Sequence, residues 1–207
     1  MKKDNSTIAK KIGVRRAALR ALCNEAPVIL ETHGGTGGIY REVYTEVWQG
    51  VVFETDAKKA EILAHQRPSW SVYEADCEKA LRAGVGAHLT INLLDCDPYG
   101  DPWPVLDAFF SSERSFAEHM LVAVNDGLRQ KLKMGGAWST GSMSGMVARF
   151  GNDLQGIYLD VCEVLMAEKA AQAGYRLHRF NGYYCGHAQQ MTHYLAELTR
   201  DTAAGPA

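Results

Sequence analysis

The chain has little of what marks most chemistries. No apolar run approaches the roughly 18 residues that a membrane span needs, and the basic N-terminus lacks the apolar stretch of a secretory signal. The five cysteines, Cys23, Cys77, Cys96, Cys162 and Cys185, are odd in number and scattered, with no C-x-x-C pair. That spacing speaks against a disulfide frame or a zinc site and for reduced thiols in a cytoplasmic protein. His187 and His193 stand too isolated to suggest ligands, so no metal is expected. No order of Ser, His and Asp supports a hydrolytic triad. With 22 basic and 24 acidic residues the net charge is −2, so overall charge advertises no polyanionic partner. Repeats and long low-complexity stretches are absent.

What remains is a length and a pattern suited to one core. The 207 residues divide into a basic N-terminal helix within 1–26, a single domain over 27–200 and a tail over 201–207. Short apolar runs alternate with helical spacing, which predicts an α/β fold with a largely parallel sheet. Strands are expected at 28–32, 51–54, 71–75, 88–95 and 137–140. Helices are expected over 8–23, 40–48, 56–66, 76–81, a stretch after Pro104, 116–132 and 152–173. Two strands, 175–185 and 190–198, would close the sheet. Met191, Tyr194, Leu195 and Leu198 also fit helical spacing, so a final helix competes for the second of these.

The most informative stretch is Val28-Ile29-Leu30-Glu31-Thr32-His33-Gly34-Gly35-Thr36-Gly37-Gly38. An apolar strand delivers an acid and a glycine turn into a helix start, where backbone N–H groups can approach a nucleotide-like ligand. A dinucleotide fingerprint needs a third glycine where Tyr40 stands, which argues against NAD. In register, Glu31 to Gly37 resembles the acid-x-Gly-x-Gly-Thr-Gly signature of class I S-adenosylmethionine-dependent methyltransferases, with His33 in place of the first glycine. The resemblance spans about 28–198. It implies a Rossmann-like seven-stranded sheet ordered 3-2-1-4-5-7-6 with helices on both faces, and S-adenosyl-L-methionine as cofactor. Glu31, His33, Gly35 and Gly37 would form its first binding segment. Glu54, 17 residues after Gly37, ends the second strand, where a carboxylate can accept ribose hydroxyls. Asp56 suits the following helix cap. Asp76 and Cys77 match the corner that faces the adenine amine.

The second signal is Asp95-Cys96-Asp97-Pro98-Tyr99-Gly100 after an apolar strand. It resembles the Asp-Pro-Pro-Tyr motif of methyltransferases acting on exocyclic amines. A conjugated amine is a poor nucleophile. The Asp97 side chain and the Pro98 carbonyl can accept its two N–H bonds, while Tyr99 stacks on the ring. Proline fixes its own φ and keeps the preceding residue extended, which aims the carbonyl. Over 97–108 the segment is also similar to tRNA guanine-N2 dimethyltransferases, with Asp101 where that family has Ser. Trp103 is a further candidate for stacking, and equally a candidate for the core. The resemblance therefore implies N-methylation of a nucleobase amine in RNA or DNA, with a nucleic acid as partner. Two alternatives stand beside it: a small-molecule or protein methyltransferase, and a non-catalytic scaffold of the same fold. The cations Lys2, Lys3, Lys10, Lys11, Arg15, Arg16 and Arg20, against one acid, Asp4, could sit on phosphates or form a solvated helix face.

Overall fold

The computed structural model describes residues 7–22, 24–133 and 141–201. Seven strands form one sheet: β1 Val28–Glu31, β2 Gln49–Glu54, β3 Ser71–Glu74, β4 Ile91–Cys96, β5 Phe116–Asp126, β6 Tyr175–Cys185 and β7 Met191–Arg200. Their order is β3-β2-β1-β4-β5-β7-β6. β1 to β5 pair in parallel, whereas β7 runs antiparallel to both β5 and β6. The Rossmann-like methyltransferase sheet anticipated from the motifs is the fold observed.

The sheet is covered on both faces. α1 (Ile8–Ala21), α2 (Ala57–Gln66) and a π-helical turn at Tyr40–Tyr44 lie on one side. α3 (Cys77–Arg82), α4 (Trp103–Ser111) and α7 (Tyr158–Gln172) lie on the other. Among the described residues there are also two shorter helices, α5 Leu128–Lys133 and α6 Met143–Phe150. Asp56 and Asp76 each cap a helix by accepting from the backbone N–H three residues on, at 3.1 Å, the ordinary N-cap bond. Asn92 ties the entry of β1 to β4. Its amide donates to the Ala26 carbonyl at 2.9 Å and its oxygen accepts from Val28 N–H at 2.7 Å.

β5 departs from expectation. The spacing over 116–132 predicts a helix, yet residues Phe116–Asp126 form a central strand, followed by the short α5. Met120, Val122 and Val124 pack into one core and Leu121 and Ala123 into the other. That is a period of two, with both faces apolar, and an apolar run buried on both faces cannot be told from a buried helix by periodicity. The strand expected at 137–140 lies outside the described residues, as does Cys23; the fifth place is filled by Phe116–Asp126. Other differences are smaller. The helical pattern over 40–48 contracts to the turn Tyr40–Tyr44, and 152–173 divides into a 3-10 turn, Gly151–Gln155, and α7. The competition at 190–198 resolves to strand β7. Among the described residues no helix is long and apolar enough to cross a membrane.

Candidate functional site

Strand order reverses between β1 and β4, so the loops leaving β1, β2, β3 and β4 converge outside their carboxyl ends, the place where ligands bind in open α/β sheets. A cavity of about 230 Å³ opens there, lined by His33, Glu54, Asp76, Cys77 and Pro98, with Asp101 and Glu78 adding to its acidic wall. The structure thus brings together segments from 21 to 68 residues apart in sequence.

The loop after β1 is shaped by two kinds of glycine. Gly35 and Gly37 have φ of 55° and 74°, the left-handed region that suits glycine. Gly34 instead lies against the core: a Cβ there would meet Leu63 Cδ1 at 2.5 Å and Val52 Cγ2 at 2.6 Å. Glu54 holds this loop to β2. Its Oε2 accepts from Gly35 N–H at 2.8 Å, and its Oε1 accepts from Thr55 and Asp56 N–H at 2.9 and 3.0 Å. A carboxylate has about four acceptor positions, so Glu54 faces the cavity with capacity left for a hydroxyl.

His33 lies along the cavity wall. Its Nδ1 is 2.8 Å from Thr32 Oγ1 and its Nε2 is 3.7 Å from Cys77 Sγ. Thr32 Oγ1 donates to the Asp95 carbonyl at 3.3 Å. It therefore accepts from His33 Nδ1–H, leaving Nε2 to accept from the thiol. Burial pushes the His33 pKa down, against the pull of Asp97 and Glu54. Burial, reinforced by Asp76, pushes the Cys77 thiol up to about 12. Both are neutral, as the hydrogen bonds require.

Glu31 occupies a different position from the other motif residues. It is 3% exposed and pairs with Arg67 Nη1, whose guanidinium lies 4.4 Å from the Tyr40 ring centroid and 5.0 Å from that of Trp70. It is not among the residues that line the cavity. Burial raises the Glu31 pKa while Arg67 opposes the rise. Glu31 also sits directly beside Asp95 in the sheet register, so two buried acids share one neighbourhood.

Arg15 of α1 answers the second acid. It is fully buried; its Nε donates to Asp95 Oδ2 at 2.9 Å, Nη2 donates to Asp95 Oδ1, and Nη1 donates to Asn125 Oδ1 at 2.9 Å. Tyr44 donates to Asp95 Oδ2 at 2.8 Å. Asp97, two residues on, is clasped by Lys11, whose Nζ lies 2.8 Å from Oδ1 and 3.0 Å from Oδ2; Arg15 Nη2 stands 3.9 Å away. Burial works to raise the Asp97 pKa, but Arg15 and Lys11 outweigh it and hold the carboxyl below its usual range.

The turn beyond Asp97 is anchored to the end of β5 by Gly127 N–H donating to the Gly100 carbonyl at 2.9 Å. Pro98 lines the cavity and Tyr99 projects outward, 98% exposed. Trp103 is completely buried in the core beneath, which leaves Tyr99 as the accessible aromatic of this segment. In sequence Lys11 and Arg15 belong to a basic series read as phosphate-binding or as a solvated helix face, yet both turn inward, to Asp97 and Asp95. Their signal was present: positions 11, 14, 15, 18 and 22 form one helix face, and Val14, Ala18 and Leu22 on it are buried. Two cations on an inward face call for buried acids.

No family model matches the chain, and no curated protein matches it in sequence. Solved structures do match in shape. The M. jannaschii TYW2 structure in complex with AdoMet superposes with a TM-score of 0.62 at 13% identity, covering 97% of this chain and 79% of that one. The plantazolicin methyltransferase BpumL in complex with S-adenosylhomocysteine gives 0.57 at 7% identity, covering 92% and 82%. The N-methyltransferase NodS from Bradyrhizobium japonicum WM9 gives 0.57 at 10% identity, covering 95% and 98%. At these identities the likeness establishes architecture: the chain has the fold of class I methyltransferases.

Proposed function

We propose that this protein is an S-adenosylmethionine-dependent methyltransferase acting on the exocyclic amine of a nucleobase in RNA or DNA. The observation that carries the reading is the convergence of two chemistries at one sheet edge. The cavity beside the β1 glycine turn adjoins the Asp97-Pro98-Tyr99 turn that leaves β4. Glu54 fits the ribose hydroxyls, Asp76 and Cys77 fit the adenine end, and the turn carrying Gly35 and Gly37 allows a close backbone approach. The cavity's acidic wall suits a cationic sulfonium. Of the three structures compared above, BpumL and NodS are methyltransferases, and TYW2 and BpumL hold AdoMet or S-adenosylhomocysteine, in accord with that fit.

S-adenosylmethionine supplies an electrophilic methyl group when bound. The protein's work is then positioning. Asp97 is held ionised and accepts one N–H of the amine, the Pro98 carbonyl accepts the other, and Tyr99 supplies an exposed ring for the base to stack on. A base in a duplex must first be flipped out; one in a single strand avoids part of that cost.

Calorimetric titration with S-adenosylhomocysteine, with NAD as control, tests the cofactor. Micromolar binding of the first alone is expected, and binding of neither would turn the reading toward a scaffold. Two variants separate the roles. Asp97→Ala should abolish methyl transfer with affinity for S-adenosylhomocysteine nearly intact. Glu54→Ala should weaken that affinity first, because it removes both the hydroxyl acceptor and the loop anchor at Gly35. Unchanged affinity in Glu54→Ala would remove this residue from the site.

A further inference from the structure

Asp97 does not meet its acceptor as a bare carboxylate. Both of its oxygens are already engaged by Lys11 Nζ, at 2.8 and 3.0 Å, and Arg15 stands behind at 3.9 Å. Two cations therefore face Asp95 and Asp97, so the charges at this end of the sheet cancel. The side chains of Lys11 and Asp97 are 21% and 19% exposed. The pair thus reaches solvent beside the fully exposed Tyr99. Arg15, by contrast, is committed to Asp95 and Asn125 and cannot turn outward.

Resting on the methyltransferase reading, we propose that Lys11 is a specificity-determining residue: with Asp97 it forms a donor–acceptor edge that takes neutral amines lying beside a hydrogen-bond acceptor atom and rejects alkylammonium groups. The chemistry follows from the charges. An amino nucleobase is uncharged and carries a ring nitrogen or carbonyl oxygen near its amine. Asp97 accepts the amine N–H while the Lys11 ammonium, three donors on a flexible stem, swings to that neighbouring atom. A lysine side chain or other alkylamine arrives as a cation and would be set against Lys11 within a few ångströms, where like charges repel in a partly buried site. It also brings no acceptor atom for Lys11 to bind. The same edge separates an aromatic amine from an aliphatic one before any recognition of sequence.

The test compares methyl transfer from labelled S-adenosylmethionine to a short mixed-sequence single-stranded RNA and to a lysine-containing peptide. The wild-type protein should label the RNA and leave the peptide unlabelled. Lys11→Met, which keeps the length of the stem, should lower kcat/KM on RNA about tenfold or more, the usual consequence of losing a charged hydrogen bond. The preference for RNA over peptide should shrink with it, at unchanged affinity for S-adenosylhomocysteine. Lys11→Arg should restore most of the RNA activity. Equal RNA activity in wild type and Lys11→Met would overturn the role of Lys11 alone, as would a loss matched by equally weakened S-adenosylhomocysteine binding. A wild-type protein that labels the peptide and not the RNA would instead overturn the nucleobase reading, and this proposal with it.

Discussion

At the scale of single residues, burial decides which acids are charged. Asp97 is kept ionised by two cations, whereas among the described residues no cation pairs with Asp126, at the end of β5. Its Oδ1 accepts from Leu128 N–H and its Oδ2 from Tyr158 Oη–H, both at 2.8 Å. Burial pushes its pKa from 3.8 to about 7 against those two hydrogen bonds. The folded protein therefore holds a proton there that the unfolded chain releases. Through that window folding stability due to Asp126 falls as pH rises, being complete below the lower value and lost above the upper. Asp126→Asn keeps the shape and an acceptor for Leu128 N–H, and should remove this decline. Melting temperatures measured across the window should diverge by several degrees, the wild type losing ground toward neutral pH. Parallel curves would show that Asp126 does not titrate there.

At the scale of elements, α1 belongs to the site as much as the glycine turn does. Arg15 joins the ends of β4 and β5 through Asp95 and Asn125, and Val14, Ala18 and Leu22 seat the helix on the sheet. Arg15→Ala leaves Asp95 buried with only Tyr44 to answer its charge. Loss of one partner of a buried pair costs about 3–5 kcal/mol, so a clear drop in the urea midpoint is expected. A change within experimental scatter would show that the Arg15–Asp95 pair adds little to net stability. This scale also shows what was legible in the sequence. β1, β2 and β3 and the two caps at Asp56 and Asp76 could be read because each ends in a turn chemistry of its own. β5 could not, since its apolar run is buried on both faces. Glu31 and Arg15 mark the same limit in the site. Glu31 holds the motif's acid position yet faces Arg67, and Arg15 reads as one of a basic series until the fold buries it. Ion pairs between residues 36 and 80 apart leave no local pattern, whereas a glycine turn does.

For the whole molecule, charge distribution matters more than the net −2. With Lys11 engaged by Asp97 and Arg15 buried, the described cations that α1 still exposes are Lys10, Arg16 and Arg20, a series that starts beside the Lys11–Asp97 pair and runs along the helix. A nucleic acid whose base enters at Tyr99 and whose backbone follows α1 would meet these three in turn. Each phosphate neutralised on a single strand contributes about −0.7 to the slope of log K against log salt, so three contacts predict a slope near −2. Fluorescence anisotropy of a labelled single-stranded RNA between about 50 and 200 mM salt measures it. Arg16→Ala and Arg20→Ala should each flatten the slope by about 0.7 without altering affinity for S-adenosylhomocysteine, because neither side chain reaches the cavity. A small-molecule acceptor would behave differently. Binding of RNA would then be weak, and whatever slope remained would be indifferent to both substitutions, since a protein of slight negative charge has no other reason to concentrate polyanions on this one helix.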